Sequence, residues 1–179
     1  MKYLRRLIWH IASRLLILTL VLGMIVIGFY YAMNMTNMYV VLKDGMARRA
    51  QVVMMQEDAG ELNKFFQASF LARDQAVQDT LSGLSPYRDY NVRGIDHRLE
   101  MGFTWVWPWD TTAKVVIVER IPRIDGRIKG AKAEEYIAVY GDDAIYPPGW
   151  VSARYQVQMV KENGRWHIRS LSLLEARPD

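Results

Sequence analysis

The chain has 179 residues, 51% of them apolar, with 23 Lys and Arg against 19 Asp and Glu and no cysteine. That length suits one compact domain plus an anchor, and the missing cysteines exclude a lipid-modified cysteine anchor and a disulfide framework. The basic balance does not point to nucleic acid. Lys2, Arg5, Arg6 and Arg14 precede an apolar run and all 19 acids follow it, so the rest of the chain is formally neutral and lacks the basic surplus that phosphate binding needs.

Residues 15–33, LLILTLVLGMIVIGFYYAM, carry no charge, and the first charge after Arg14 is Lys43. A helix of this length crosses most of a hydrocarbon core about 30 Å thick. The run exceeds a signal-peptide core, and no small-x-small cleavage site follows Tyr30 and Tyr31, so an uncleaved transmembrane helix is expected. The basic residues ahead of it place residues 1–14 in the cytoplasm and everything after the span outside. Tyr30 and Tyr31 at one end, with Tyr3 and Trp9 at the other, suit the two headgroup regions.

Residues 34–57 predict a juxtamembrane helix, with Met38, Leu42, Met46 and Val53 near helical spacing and Lys43, Arg48 and Arg49 on other faces. Gly45 weakens it by about 1 kcal/mol relative to alanine. Seven of the ten methionines fall between Met24 and Met55, as filler for irregular apolar gaps or as a pliable stripe for a partner helix. Residues 58–179 then form an extracytoplasmic domain. Its first helix is expected over 58–74, opened by a capping box of Asp58 and Glu61, with Leu62, Phe65, Phe66, Phe70 and Leu71 as an apolar face for a sheet to cover.

Strand signals take over after Pro86. Residues 90–107 alternate, with Ile95, His97, Leu99, Met101, Phe103, Trp105 and Trp107 on one parity. Residues 112–121 are rich in β-branched side chains, Pro122 is expected to close that strand, and Asp125-Gly126 to mark a turn. A short strand is expected over 135–140, then the loop 141–149. Residues 150–174 read as a long hairpin whose Asn163-Gly164 predicts a type I′ turn. Pairing outward sets Glu162 against Arg165, Lys161 against Trp166, Val160 against His167, Met159 against Ile168 and Gln158 against Arg169. Tyr155, Val157, Met159, Trp166 and Ile168 then share the apolar face, and His167 falls on the polar one.

An anchor, helices with an aromatic face, and a curved antiparallel sheet closing on VKENGRWHI resemble the nuclear transport factor 2-like (cystatin-like) superfamily over residues 58–174. With one span in front, the chain also resembles the inner-membrane scaffold proteins of type IV secretion and conjugation machines. The resemblance implies an α+β fold, a cone of bent sheet around helices, at a bacterial-type inner membrane. It implies a docking role among other membrane-complex proteins, with homo-oligomers. The superfamily's isomerases and dehydratases offer an alternative, a small-molecule binder or enzyme using the cone interior.

For that chemistry the residue to watch is His97, with Asp96, Glu100 and Glu119 near it; a histidine on an apolar parity more commonly forms part of a bonded core. Three histidines without cysteine give no zinc spacing, and neither a phosphate-cradling glycine motif nor a nucleophile elbow is present. No catalytic residue, cofactor or metal is expected. Trp105, Trp107 and Trp109, in FTWVWPWD, either help to fill the core or form an exposed aromatic patch that docks a partner or the outer leaflet.

Overall fold

The computed structural model describes residues 2–177. It opens on one helix, α1 (Lys2–Met55), about 80 Å long at 1.5 Å per residue. No proline interrupts it, and the helices expected separately over 15–33 and 34–57 are one continuous helix as far as Met55, with Gln56 and Glu57 outside it. Along residues 5–30 the side chains are exposed all round, apart from half-buried Ser13. From Tyr31 onward the rest of the protein closes around it. Met38, Leu42, Met46, Ala50 and Val53 form a buried stripe at helical spacing, which includes all four expected positions. Gln56, at φ 57°, turns the chain out of the helix.

Gly45 has a structural reason the sequence did not disclose. A Cβ there would lie 2.9 Å from Phe65 Cβ and 3.3 Å from Ile168 Cδ1. The helix accepts the glycine penalty because only a bare backbone lets α1 approach this close.

The single helix expected over 58–74 is instead a 3-10 turn (Ala59–Lys64), a short α2 (Ala68–Leu71) and α3 (Gln75–Leu81). Asp58 accepts from Gly60 N rather than from Glu61 N, and Glu61 pairs with Lys64 and Arg48. The break occurs because the chain at Phe66 and Gln67 leaves the turn and bridges the sheet. There Ile168 N donates to Phe65 O at 2.7 Å and Gln67 N donates to Ile168 O at 2.9 Å. A free strand edge supplies the hydrogen bonds that a helix would have made internally.

Four strands make an antiparallel meander in the order β1 (Tyr90–Met101), β2 (Thr112–Ile128), β3 (Ser152–Glu162) and β4 (Arg165–Arg177). In β2 the residues Ala113, Val115, Ile117, Glu119 and Ile121 face the core on one parity. Pro122 does not end β2. It falls at a register shift opposite β1 and beyond Glu119, the last residue paired with β3, so its missing N–H costs no ladder bond. Asp125-Gly126 is paired strand, not a turn. A Cβ on Gly126 would lie 2.9 Å from Asn91 O and Val92 Cα, so glycine serves a close strand approach.

Two further expectations are corrected. β1 stops at Met101, leaving Phe103 to Asp110 as a loop, and residues 135–140 belong to a helix, α4 (Gly130–Tyr140). The alanines and glutamates of AKAEEYIAVY favour that helix. The hairpin is as expected at its tip, with Asn163 and Gly164 at φ 50° and 79° and the pairs running from Glu162↔Arg165 to Met159↔Ile168. Beyond it a bulge moves Gln158 opposite Ser170, not Arg169.

Candidate functional site

The inward parity of β2 carries one acid among its aliphatic residues. Glu119 is fully buried. Its Oε1 lies 3.1 Å from His97 Nε2 of β1, and its Oε2 accepts from Trp150 Nε1 at 3.3 Å. His97 is itself buried at the side chain, as its apolar parity led one to expect. Asp96 and Glu100 turn outward to Arg98 and Arg120 and do not join it.

A second buried pair lies nearby. Arg49 of α1 donates to Asp74 through both Nε and a terminal nitrogen, at 2.5 and 2.9 Å, a bidentate geometry that fits the guanidinium fork. The guanidinium also lies 5.8 Å from the Trp150 ring centroid. Burial pulls the Arg49 pKa down, but the Asp74 bond and charge, helped by Glu119 and Tyr155, hold it above its ordinary value. Burial and the Glu119 charge raise the Tyr155 phenol, against the pull of Arg49. Asp74 forgoes its own capping bond at the start of α3 because its carboxylate is taken by Arg49.

These bonds tie α1, the start of α3, β1, β2 and the segment before β3 into one knot. Its chemistry is that of a satisfied interior network: each carboxylate has at least two partners or a bidentate one, as buried charge requires. A groove of about 830 Å³ lies elsewhere, along Asn91, Arg93, residues 124–130 and Tyr146, and neither His97 nor Glu119 lines it. Among the described residues no group of three or more His, Cys, Asp or Glu is arranged to hold a metal. His167 lies on the polar hairpin face, its Nδ1 3.3 Å from Arg165 O, away from the knot.

The three tryptophans form a different kind of site. The loop after β1 is held down by Gly102 N donating to Val116 O and Thr104 Oγ1 donating to Lys114 O. Its turn closes through Trp107 N donating to Asp110 Oδ2. Val106, of the opposite parity, is the residue that plugs the core. Trp105, Trp107 and Trp109 remain 57%, 38% and 66% exposed, beside Phe103 at 85%. Trp105 meets Trp107 edge-on at 5.1 Å, and Trp107 stacks on Trp109 at 5.0 Å. The row is anchored to α1: Tyr31 OH donates to Thr104 O at 3.0 Å, and the Tyr31 ring stacks on Trp105 at 4.8 Å.

On the hairpin side, Trp166 Nε1 donates to Asn34 Oδ1 at 2.9 Å, leaving the buried Asn34 Nδ2 without a partner. They border a shallow groove of about 330 Å³ with Asn37, Lys64, Lys161 and Arg165. Sequence reading missed Arg49, Asp74, Trp150 and Asn34 because their partners are distant in the chain. Glu119 was named beside His97, and its place on the inward parity of residues 112–121 is the signal that it belongs to the interior. No protein-family model matches the chain, and comparison with curated proteins and with solved structures finds no significant similarity.

Proposed function

We propose that this is a single-pass membrane protein that displays its α+β domain outside the cytoplasm and serves as a structural, docking component of a membrane protein complex. The observation that carries this reading is the division of α1. It is long and apolar enough to cross a membrane, and none of its most apolar window is buried by the protein, while its second half is part of the domain's core. A helix apolar all round needs lipid or protein on every side. The basic residues at its start favour a cytoplasmic amino terminus.

The scaffold role is supported by what occupies the space under the sheet. Methionine and aliphatic side chains of α1 fill it, and its polar groups bond to one another rather than face a cavity. An isomerase or small-molecule binder of the cone type would need His97 and a carboxylate open to a ligand, and Glu119 is closed off. The order of helices and meander is compatible with the nuclear transport factor 2-like superfamily. A place in a secretion or conjugation machine of a bacterial-type inner membrane is proposed from that resemblance alone.

Light scattering on the full chain in detergent, beside a chain beginning at residue 31, tests the role. A start at Lys43 would discard Asn34, Met38 and Leu42 from the interior, so the shorter cut would confuse unfolding with lost assembly. A defined oligomer of the full chain supports the scaffold. Monomers in both, together with extraction of the full chain from membranes by alkaline carbonate, would remove the reading.

A further inference from the structure

The antiparallel meander puts the β1–β2 and β3–β4 connections at one end of the sheet, and both touch α1 where its bare half ends. The β1–β2 loop meets it at Tyr31, and the hairpin meets it at Asn34 through Trp166. From Arg14 to Tyr31 the helix rises about 25 Å at 1.5 Å per residue, close to the thickness of a hydrocarbon core of about 30 Å. With Arg14 at the inner boundary, Tyr31 therefore lies at the outer one. Trp105 is stacked on it, and Trp107 and Trp109 continue the row outward from the helix.

We propose that residues 103–109 lie in the headgroup layer of the outer leaflet, so that the domain rests on the phospholipid surface by a second contact besides its span. This rests on the membrane reading proposed above. The chemistry of the two connections matches the layers of such a surface. Tryptophan favours the boundary between hydrocarbon and headgroups, where its ring is apolar and its N–H finds a polar partner. The helix reaches Asn34 about 4.5 Å beyond Tyr31, and around this level stand Lys64, Lys161 and Arg165, cations suited to lipid phosphates. The acids near them are engaged: Glu61 with Lys64 and Arg48, Glu162 with Gln67, and Asp110 with Trp107 N. Lipid is also the occupant already at hand, because the row continues the surface of a helix that is bare up to Tyr30. A span alone leaves a domain free to tilt; an aromatic row held to the helix by ring stacking and a hydrogen bond would fix one orientation for the faces that meet other proteins.

The full chain is reconstituted into vesicles of phosphatidylcholine and phosphatidylglycerol whose acyl chains are brominated near the headgroup, and tryptophan quenching is read. Trp9, near the other end of the span, is replaced in a Trp9→Phe variant, so that the remaining signal comes from the domain. Quenching of that variant, with most of it lost when Trp105→Phe, Trp107→Phe and Trp109→Phe are added, is the expected result. Trp150 and Trp166 are common background, and phenylalanine preserves the ring contacts; unchanged circular dichroism checks the fold. If the wild type is quenched but Trp9→Phe is not, the span is in the bilayer and the loop is not, which overturns the inference alone. Loop tryptophans reached by acrylamide and not by bromine would leave the row in water, and would equally overturn it. Quenching in neither protein would remove the membrane reading itself.

Discussion

The two halves of α1 use similar apolar side chains and meet different surroundings. Residues 15–33 are apolar on every face and touch almost nothing of their own chain, whereas residues 34–50 bury one face and turn Asn37, Lys43 and Asp44 to solvent, with burial widening to Val52, Val53 and Met54 at the end. In the first half exposure follows from composition, since lipid can satisfy every face. In the second, each buried position depends on a particular neighbour, and the half carries Arg49 into the interior only because Asp74 meets it. One unbroken helix thus joins a stretch long and apolar enough to cross a membrane to a core helix, and the demand for specific complementarity begins where the domain does.

That contrast breaks most readily at its charged joint. Asp74→Ala leaves the buried Arg49 guanidinium without its bidentate partner and should cost about 3–5 kcal/mol, read as a lower urea midpoint of the full chain in detergent. A loss under about 1 kcal/mol would mean that the pair does not hold α1 to the domain. A glycine pair sharpens the contrast further. Gly45→Ala places its Cβ 2.9 Å from Phe65 and should destabilise by about 1–3 kcal/mol through overpacking. Gly28→Ala meets nothing within 4 Å and should leave the midpoint of domain unfolding unchanged. Equal effects at both sites would erase the distinction between the halves.

The smallest effect belongs to α4, which follows β2 at the other end of the meander. Tyr136 OH donates to Asp89 at 2.7 Å, which lowers the Asp89 pKa with help from Lys132 and raises the Tyr136 phenol to about 12. Asp89 therefore contributes stability that is present above the ordinary carboxylate pKa near 4 and fades as pH falls through its lowered value. Tyr136 contributes stability that is present below about 10 and fades as pH rises through about 12. In Asp89→Asn the Tyr136 ring should titrate nearer 10 by carbon NMR, with α4 amides exchanging faster and the α1 stripe unchanged. A change spreading into that stripe would show the two ends of the domain to be coupled.

Much of the fold was legible because it is written in local periodicity. The stripe of Met38, Leu42, Met46 and Val53 reports a helix face, and Asn163-Gly164 sets the hairpin register as far as Met159 and Ile168. The same logic failed where a distant partner intervened. Phe66 and Gln67 read as helix until the edge of β4 drew them out. Trp105, Trp107 and Trp109 continued a strand parity that lapses once β1 ends at Met101, so Val106 took the core position. For residues 135–140 the error was one of propensity, since the alanines and glutamates outweighed the β-branched and aromatic residues among them.

The candidate site divides along the same line. His97 and the three tryptophans could be picked out as residues of interest from parity and composition, but what each touches could not. By itself the sequence determined a helix fit to span a membrane, an α+β domain behind it, and a closing hairpin, because hydropathy, backbone preference and turn chemistry act over a few neighbouring residues. Only the tertiary structure decided that Arg49 meets Asp74, that Glu119 lies between His97 and Trp150, that Asn34 takes the Trp166 N–H, and that Tyr31 holds the tryptophan row. Those pairings join residues from 22 to 132 positions apart, and what selects them is the cost of leaving a buried charge or polar group unpaired once water is excluded, a cost still borne at Asn34 Nδ2.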